Sequence, residues 1–214
     1  DSIGRLVGRI TVDDVMDEVR EQAERDYQLA SGLSQDVETD DNVFRQTTAR
    51  LPWLLIGMLG GIGNSMILGN FDSTFAAHPE MALYIPLIGG TGGNVGTQSS
   101  ALVVQGLANS SLNAENTFKQ VLKESVVALI NATIISMLVY IYNFIRFGAT
   151  ATVSYSVSIS LFAVVMFASI FGTLVPMTLE KLKIDPAIAT GPFISITNDI
   201  IGMLMYMGIT VLLS

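Results

Sequence analysis

The 214-residue sequence contains no cysteine and a single histidine, His78. Disulfides, thiolate metal sites and thiol nucleophiles are therefore excluded, and one histidine does not build a zinc site. Charge is also scarce: 14% of residues are charged against 50% hydrophobic, with a mean hydropathy of +0.52. Such a chain is too apolar for an ordinary soluble domain of this length. Its charge is unevenly placed, since residues 1–50 hold 6 of the 11 Lys and Arg and 12 of the 19 Asp and Glu. The net charge of -8 thus belongs mostly to the N-terminal segment. An acidic surface excludes nucleic acid as a partner and favours cations.

From residue 51 onward the chain reads as apolar runs long enough to cross about 30 Å of hydrocarbon. Five spans are predicted, near 51–70, 81–105, 121–145, 157–179 and 187–213. The fold class expected is all-α, a polytopic membrane protein with five transmembrane helices preceded by a short acidic helix. No apolar N-terminal region marks a cleavable signal. The start reads as a cut within a longer protein, and no soluble domain is expected after the last span. Lys and Arg mark the cytoplasmic flanks of membrane spans. Arg45, Arg50, Lys119, Lys123, Lys181 and Lys183 fall on one side and Arg146 alone on the other. This distribution predicts a multi-pass plasma-membrane protein with its N-terminus cytoplasmic and its C-terminus outside.

Within the first fifty residues, Thr11 suits a helix N-cap, with Asp13 and Asp14 in the favourable first turn. Val12, Val15, Met16, Val19 and Ala23 recur on one face of the predicted helix. Asp14, Asp17, Glu18, Glu21 and Glu24 occupy the other. Such a helix either lies along the inner mouth of the membrane domain or is a solvated linker. Residues 31–44 are polar, acidic and unpatterned and read as a linker.

Inside the membrane, the informative residues are those that hydrocarbon rejects. Asp199 falls near the middle of the fifth predicted span, where an ionisable group costs about 2.5 kcal/mol or more. No Lys or Arg lies in the interior of any predicted span, which leaves water, a metal ion or protonation to compensate it. Asn198, Thr197 and Ser195 add polar groups nearby. The pair Gly191-Pro192, two turns earlier, is expected to break the helix and free carbonyls toward a cavity.

The second span carries Gly89-Gly90-Thr91-Gly92-Gly93-Asn94-Val95-Gly96-Thr97-Gln98-Ser99-Ser100. Glycines at 89 and 93, and at 92 and 96, allow a neighbouring helix to approach closely. The density of glycine and of polar residues also suits a stretch offering carbonyl and side-chain oxygens to a hard cation. A phosphate loop is excluded, because no lysine follows the glycines and no strand precedes them.

Arg50-Leu51-Pro52-Trp53, Phe71-Asp72, Ile85-Pro86-Leu87, Gly92-Gly93-Asn94-Val95-Gly96-Thr97-Gln98, Asp185-Pro186-Ala187 and Asn198-Asp199 occur together in this order. In these motifs residues 50–214 resemble the transmembrane domain of the MgtE family of magnesium channels. The resemblance implies a five-helix pore domain at 50–214, an acidic connecting plug helix and linker at 12–49, and a remnant of a cytosolic CBS-like sensor at 1–11. It further implies a homodimer in the lipid bilayer whose second and fifth spans line one pore on the two-fold axis. Asp199, Ser195, Asn94 and the adjoining Gly93 then belong to the metal site, with Asp14, Asp17, Glu18 and Glu21 as gate carboxylates. Mg2+ is implied as the transported ion and as a regulator. Asp72 departs from the glutamate expected of many members and is assigned no role.

The chemistry agrees with that implication. Magnesium keeps much of its hydration shell and is recognised through one or two carboxylates, whereas calcium prefers six to eight oxygens. Two Asp199 side chains across a symmetry axis would repel one another until a divalent cation arrived. Three other classes compete. An intramembrane aspartyl protease needs two deep aspartates, and only Asp199 is placed there. A serine–histidine hydrolase fails because His78 lies in a loop. A structural scaffold leaves Asp199 unexplained. Not an enzyme but a transporter is therefore expected, and a proton- or sodium-coupled carrier of Mg2+, Mn2+ or Co2+ is the alternative to a channel.

Overall fold

A computed structural model describes residues 8–109, 111–112, 117–148 and 152–213. Of the sensor remnant expected at 1–11, the first seven residues lie outside the described residues. Every regular element described is helical.

The first helix, α1, spans Val12–Ala30. Thr11 caps it through a reciprocal box: its hydroxyl accepts from the Asp14 N–H, and the Asp14 carboxylate accepts from the Thr11 backbone N–H at 2.8 Å. These contacts satisfy donors that a helix start leaves free. Val12, Val15, Met16 and Val19 are all exposed, so the apolar stripe of α1 has no partner among the described residues. Helix α2 spans Val43–Gly69 and α3 spans Asp72–Ala77, followed by a 3-10 turn at Pro79–Tyr84. Helices α4 (Ile85–Ala108), α5 (Thr117–Phe147) and α6 (Thr152–Lys181) come next. A 3-10 turn at Pro186–Ala189 then leads into α7 at Gly191–Leu213.

Among the described residues, four segments are long and apolar enough to cross a membrane: α2, α5, α6, and Pro186–Leu213, which contains α7. The second predicted span corresponds to α4. At 24 residues it is long enough to cross, about 36 Å, but it is absent from those four because Gly, Asn, Thr, Gln and Ser occupy its middle.

Helix α6 is the hub and packs against α4, α5 and α7, whereas α2 leans mainly on α7. The most apolar stretch of α6 is 56% buried and that of α2 only 6%. In a bilayer, helices associate through close packing, because lipid is as apolar as leucine. Small residues accordingly mark the contacts. Ala128, Ala132 and Ser136, spaced by four along α5, are buried. On α6, a side chain at Gly172 would meet the Gly96 carbonyl of α4. Val157, Leu161 and Val165 of α6 share a core with Met203, Tyr206 and Met207 of α7. The Tyr206 hydroxyl donates to the Met81 carbonyl at 2.8 Å, tying α7 to the turn before α4.

Candidate functional site

Helices α4 and α7 touch along the glycine run, and the contact brings Asp199 to it. A Cβ on Gly93 would lie 2.8 Å from Ser195 Oγ and 3.6 Å from Asp199 Oδ1, and one on Gly89 would lie 3.4 Å from the same Oδ1. Gly89, Gly93, Ser195 and Asp199 therefore form one small-residue seam, in which the missing side chains leave room for the carboxylate. Asp199 and Ser195 are half-buried, and Asp199 has no hydrogen bond or ion pair among the described residues. A carboxylate at such depth without a protein partner is poised to meet a cation or water.

The glycine run does not interrupt its helix. Helix α4 is continuous from Ile85 to Ala108, so the backbone carbonyls stay in the intrahelical ladder and the run acts through close packing. Gly92 faces Val164 of α6 at 2.9 Å from a Cβ position, and a side chain at Gly96 would run into the Asn198 amide. Gly191-Pro192 does not break α7 either. Gly191, at φ +46°, begins the helix, and Pro192 occupies a first-turn position where its missing N–H costs nothing. A side chain at Gly191 would strike the Ala30 carbonyl at the end of α1, and one at Gly32 would lie 2.6 Å from Pro192 Cγ.

Asn94 is not brought to Asp199 within this chain. It lies about 100° around α4 from Gly93, is exposed, and forms no hydrogen bond among the described residues. The four carboxylates Asp14, Asp17, Glu18 and Glu21 are exposed on α1. Asp14 is engaged by the cap: the hydroxyl of Thr11 and then its backbone N–H hold the carboxyl below the usual carboxylate range. Arg25 pairs with Glu21 at 2.9 Å and with Glu18 at 3.3 Å.

A second buried carboxylate escaped the sequence reading. Glu124 of α5 is 8% exposed, and its Oε1 accepts from the Ser99 hydroxyl at 2.6 Å and from the Ser169 hydroxyl. It lies near the start of the third predicted span, 121–145, and was assigned no role from the sequence. The usable signal was register: Glu124, Ala128, Ala132 and Ser136 recur every four residues, the period of one helix face. Among the described residues, no three His, Cys, Asp or Glu side chains converge as a metal cluster.

A family model described as a divalent cation transporter, MgtE, matches residues 85–209, more than half of the chain. Three curated relatives, each called Magnesium transporter MgtE, are similar to it. The Bacillus subtilis protein is 34% identical over 204 residues, covering 95% of this chain and 45% of the relative. The Thermus thermophilus protein is 33% identical over 219 residues, covering 100% of this chain and 47% of the relative. The Enterococcus faecalis protein is 30% identical over 204 residues, with 95% and 45% covered. The chain thus spans about half the length of the curated relatives it matches.

Proposed function

The chain belongs to the MgtE family of divalent cation transporters, and from that premise we propose that it carries the membrane pathway for Mg2+, with Asp199 as the group that meets the ion. The observation that carries this reading is a half-buried carboxylate, set in a glycine seam within an apolar helix and left without a partner among the described residues. In this reading α4 is the fifth span, its polar middle tolerated because it faces protein or water, not lipid.

One protein oxygen is too few to strip magnesium, which keeps several waters and is commonly held by one or two carboxylates. A homodimer that set α4 and α7 of each copy about a two-fold axis would present two Asp199 carboxylates to one hydrated ion. Ser195, one turn before Asp199, and Gly93 would then border the same path, with Asn94 reaching it from the exposed face of α4. The N-terminus lies in the cytoplasm and the C-terminus outside in this arrangement, because the loop cations favour that side. Mg2+ acts also as regulator, through Asp14, Asp17, Glu18 and Glu21 of α1.

The test is Mg2+ flux into liposomes holding the purified chain, under an imposed voltage, with and without a proton gradient. Voltage-driven flux in the wild type and its loss in Asp199→Asn support the channel. Wild-type flux in a correctly inserted Asp199→Asn protein overturns the assignment. A lone carboxylate is also what a proton relay requires. Flux that strictly follows the proton gradient would therefore make the chain a coupled carrier.

A further inference from the structure

On another side of α4 from the Asp199 seam, a cavity of about 520 Å3 lies between α4, α5 and α6. Glu124 and Ser169 are in its wall, with Gln98, Gln105, Gln120 and Asn131 supplying amides. Both serine hydroxyls donate to the same oxygen, Oε1, and Oε2 has no hydrogen bond among the described residues. Glu124 also has no ion pair there. Lys123 lines the cavity too, but it is exposed, so its ammonium stays at the rim and the buried formal charge is negative.

We propose that this cavity is a second cation site, which takes a hydrated divalent cation through waters on Glu124 Oε2. A buried carboxylate with no cationic partner is costly, and an entering cation relieves that cost. Size permits the hydrated ion. Six waters at about 30 Å3 each fill roughly 180 Å3, well within the cavity. Amide oxygens and hydroxyls suit the outer face of such a hydration shell, as hard cations favour oxygen. The two serines hold the carboxylate in place through Oε1, so Oε2 is presented without rearrangement. The site stands on α4, α5 and α6 and does not require Asp199 to line a pore.

The probe is Mn2+, read by electron paramagnetic resonance on the purified full chain in detergent, in an Asp199→Asn background that removes the seam carboxylate. Glu124→Gln keeps an acceptor for both serines and removes the charge. With Asp14, Asp17, Glu18 and Glu21 also neutralised, the expected result is one Mn2+ per chain in Asp199→Asn, competed by Mg2+, with affinity lowered about 10–100-fold when Glu124→Gln is added, the loss typical of an outer-shell partner. Equal Mn2+ affinity with and without Glu124→Gln overturns the proposal and leaves the Asp199 reading untouched. A second measurement does not alter Glu124. The chain has no native cysteine, so Gln105→Cys gives a single thiol at the cavity. Its alkylation is expected to slow severalfold in Mg2+ in the Asp199→Asn background, and a rate indifferent to Mg2+ refutes the site.

Discussion

Asp199 and Glu124 show how one functional group takes different settings at the residue scale. Asp199 sits against glycines and has no donor among the described residues, whereas Glu124 is clamped by two serines on one oxygen. Replacing Asp199 with Asn keeps the shape and removes the charge. Because losing about 1.4 kcal/mol of ion stabilisation is already tenfold, Mg2+ flux in Asp199→Asn is expected to fall at least about tenfold with the protein still folded. Liposome flux normalised to inserted protein measures this. Asp14 gives a pH prediction. Its folded pKa lies below the ordinary aspartate value, so the cap's contribution is whole above the unfolded pKa and is lost as pH falls through the lowered folded value. Protection of the α1 N-terminus against amide exchange, with the intrinsic pH dependence of exchange divided out, should therefore hold at about pH 6 and fall only below about pH 4. Thr11→Ala should abolish that dependence, and fraying that ignores pH across this window would contradict the cap's role.

At the scale of elements, the glycines of α4 are not equivalent. A side chain at Gly96 would enter the Asn198 amide and approach Ile194 Cγ2 to 2.8 Å, while Gly90 has open space around it. Gly96→Ala is therefore expected to destabilise the bundle by about 1–3 kcal/mol through overpacking. Gly90→Ala is expected to be neutral or to stabilise by roughly 0.5–1 kcal/mol, since alanine is the better helix former. Gly93→Val should deform the seam and reduce flux, because a branched side chain would press on Ser195 and Asp199. Denaturant titration of the purified proteins distinguishes the positions. Equal losses at Gly90 and Gly96 would mean that the run is tuned for backbone freedom and not for helix contact.

On the scale of the whole molecule, the carboxylate helix is joined to the helix bearing Asp199. The end of α1 abuts Gly191, Gly32 packs on Pro192, and the Ser34 N–H and hydroxyl both donate to the Ala49 carbonyl of α2 at 2.9 Å. A shift of α1 is thus felt where α7 begins. Mg2+ bound among the α1 carboxylates would favour the position of α1 in which they lie closest together, a bias set by differential affinity. If α1 gates in this way, neutralising the residues that align with Asp14, Asp17, Glu18 and Glu21 in a full-length relative is expected to move any inhibition by Mg2+ to higher concentration. The ion pairs of Arg25 with Glu18 and Glu21 are exposed and contribute roughly 0–1 kcal/mol each, so the fold should survive the change. Unchanged inhibition would make α1 a solvated linker.

Much of this was legible along the chain. Helix formation and membrane residence depend on sums over neighbouring residues, so apolar runs located α2, α5, α6 and α7, and Thr11 and Asp14 announced the start of α1. The scarcity of acids in those runs singled out Asp199 for the same reason, since transfer cost attaches to one residue at a time. Proximity between helices is different, because it depends on the rotation and spacing of elements far apart in sequence. Only the tertiary structure decided that Gly89 and Gly93 meet Asp199, that Asn94 turns to another face, and that Gly191-Pro192 begins a helix instead of breaking one. It alone buried Glu124 against Ser99 and Ser169, 25 and 45 residues away. No local pattern of hydropathy encodes a contact whose energy arises from the packing of three helices together.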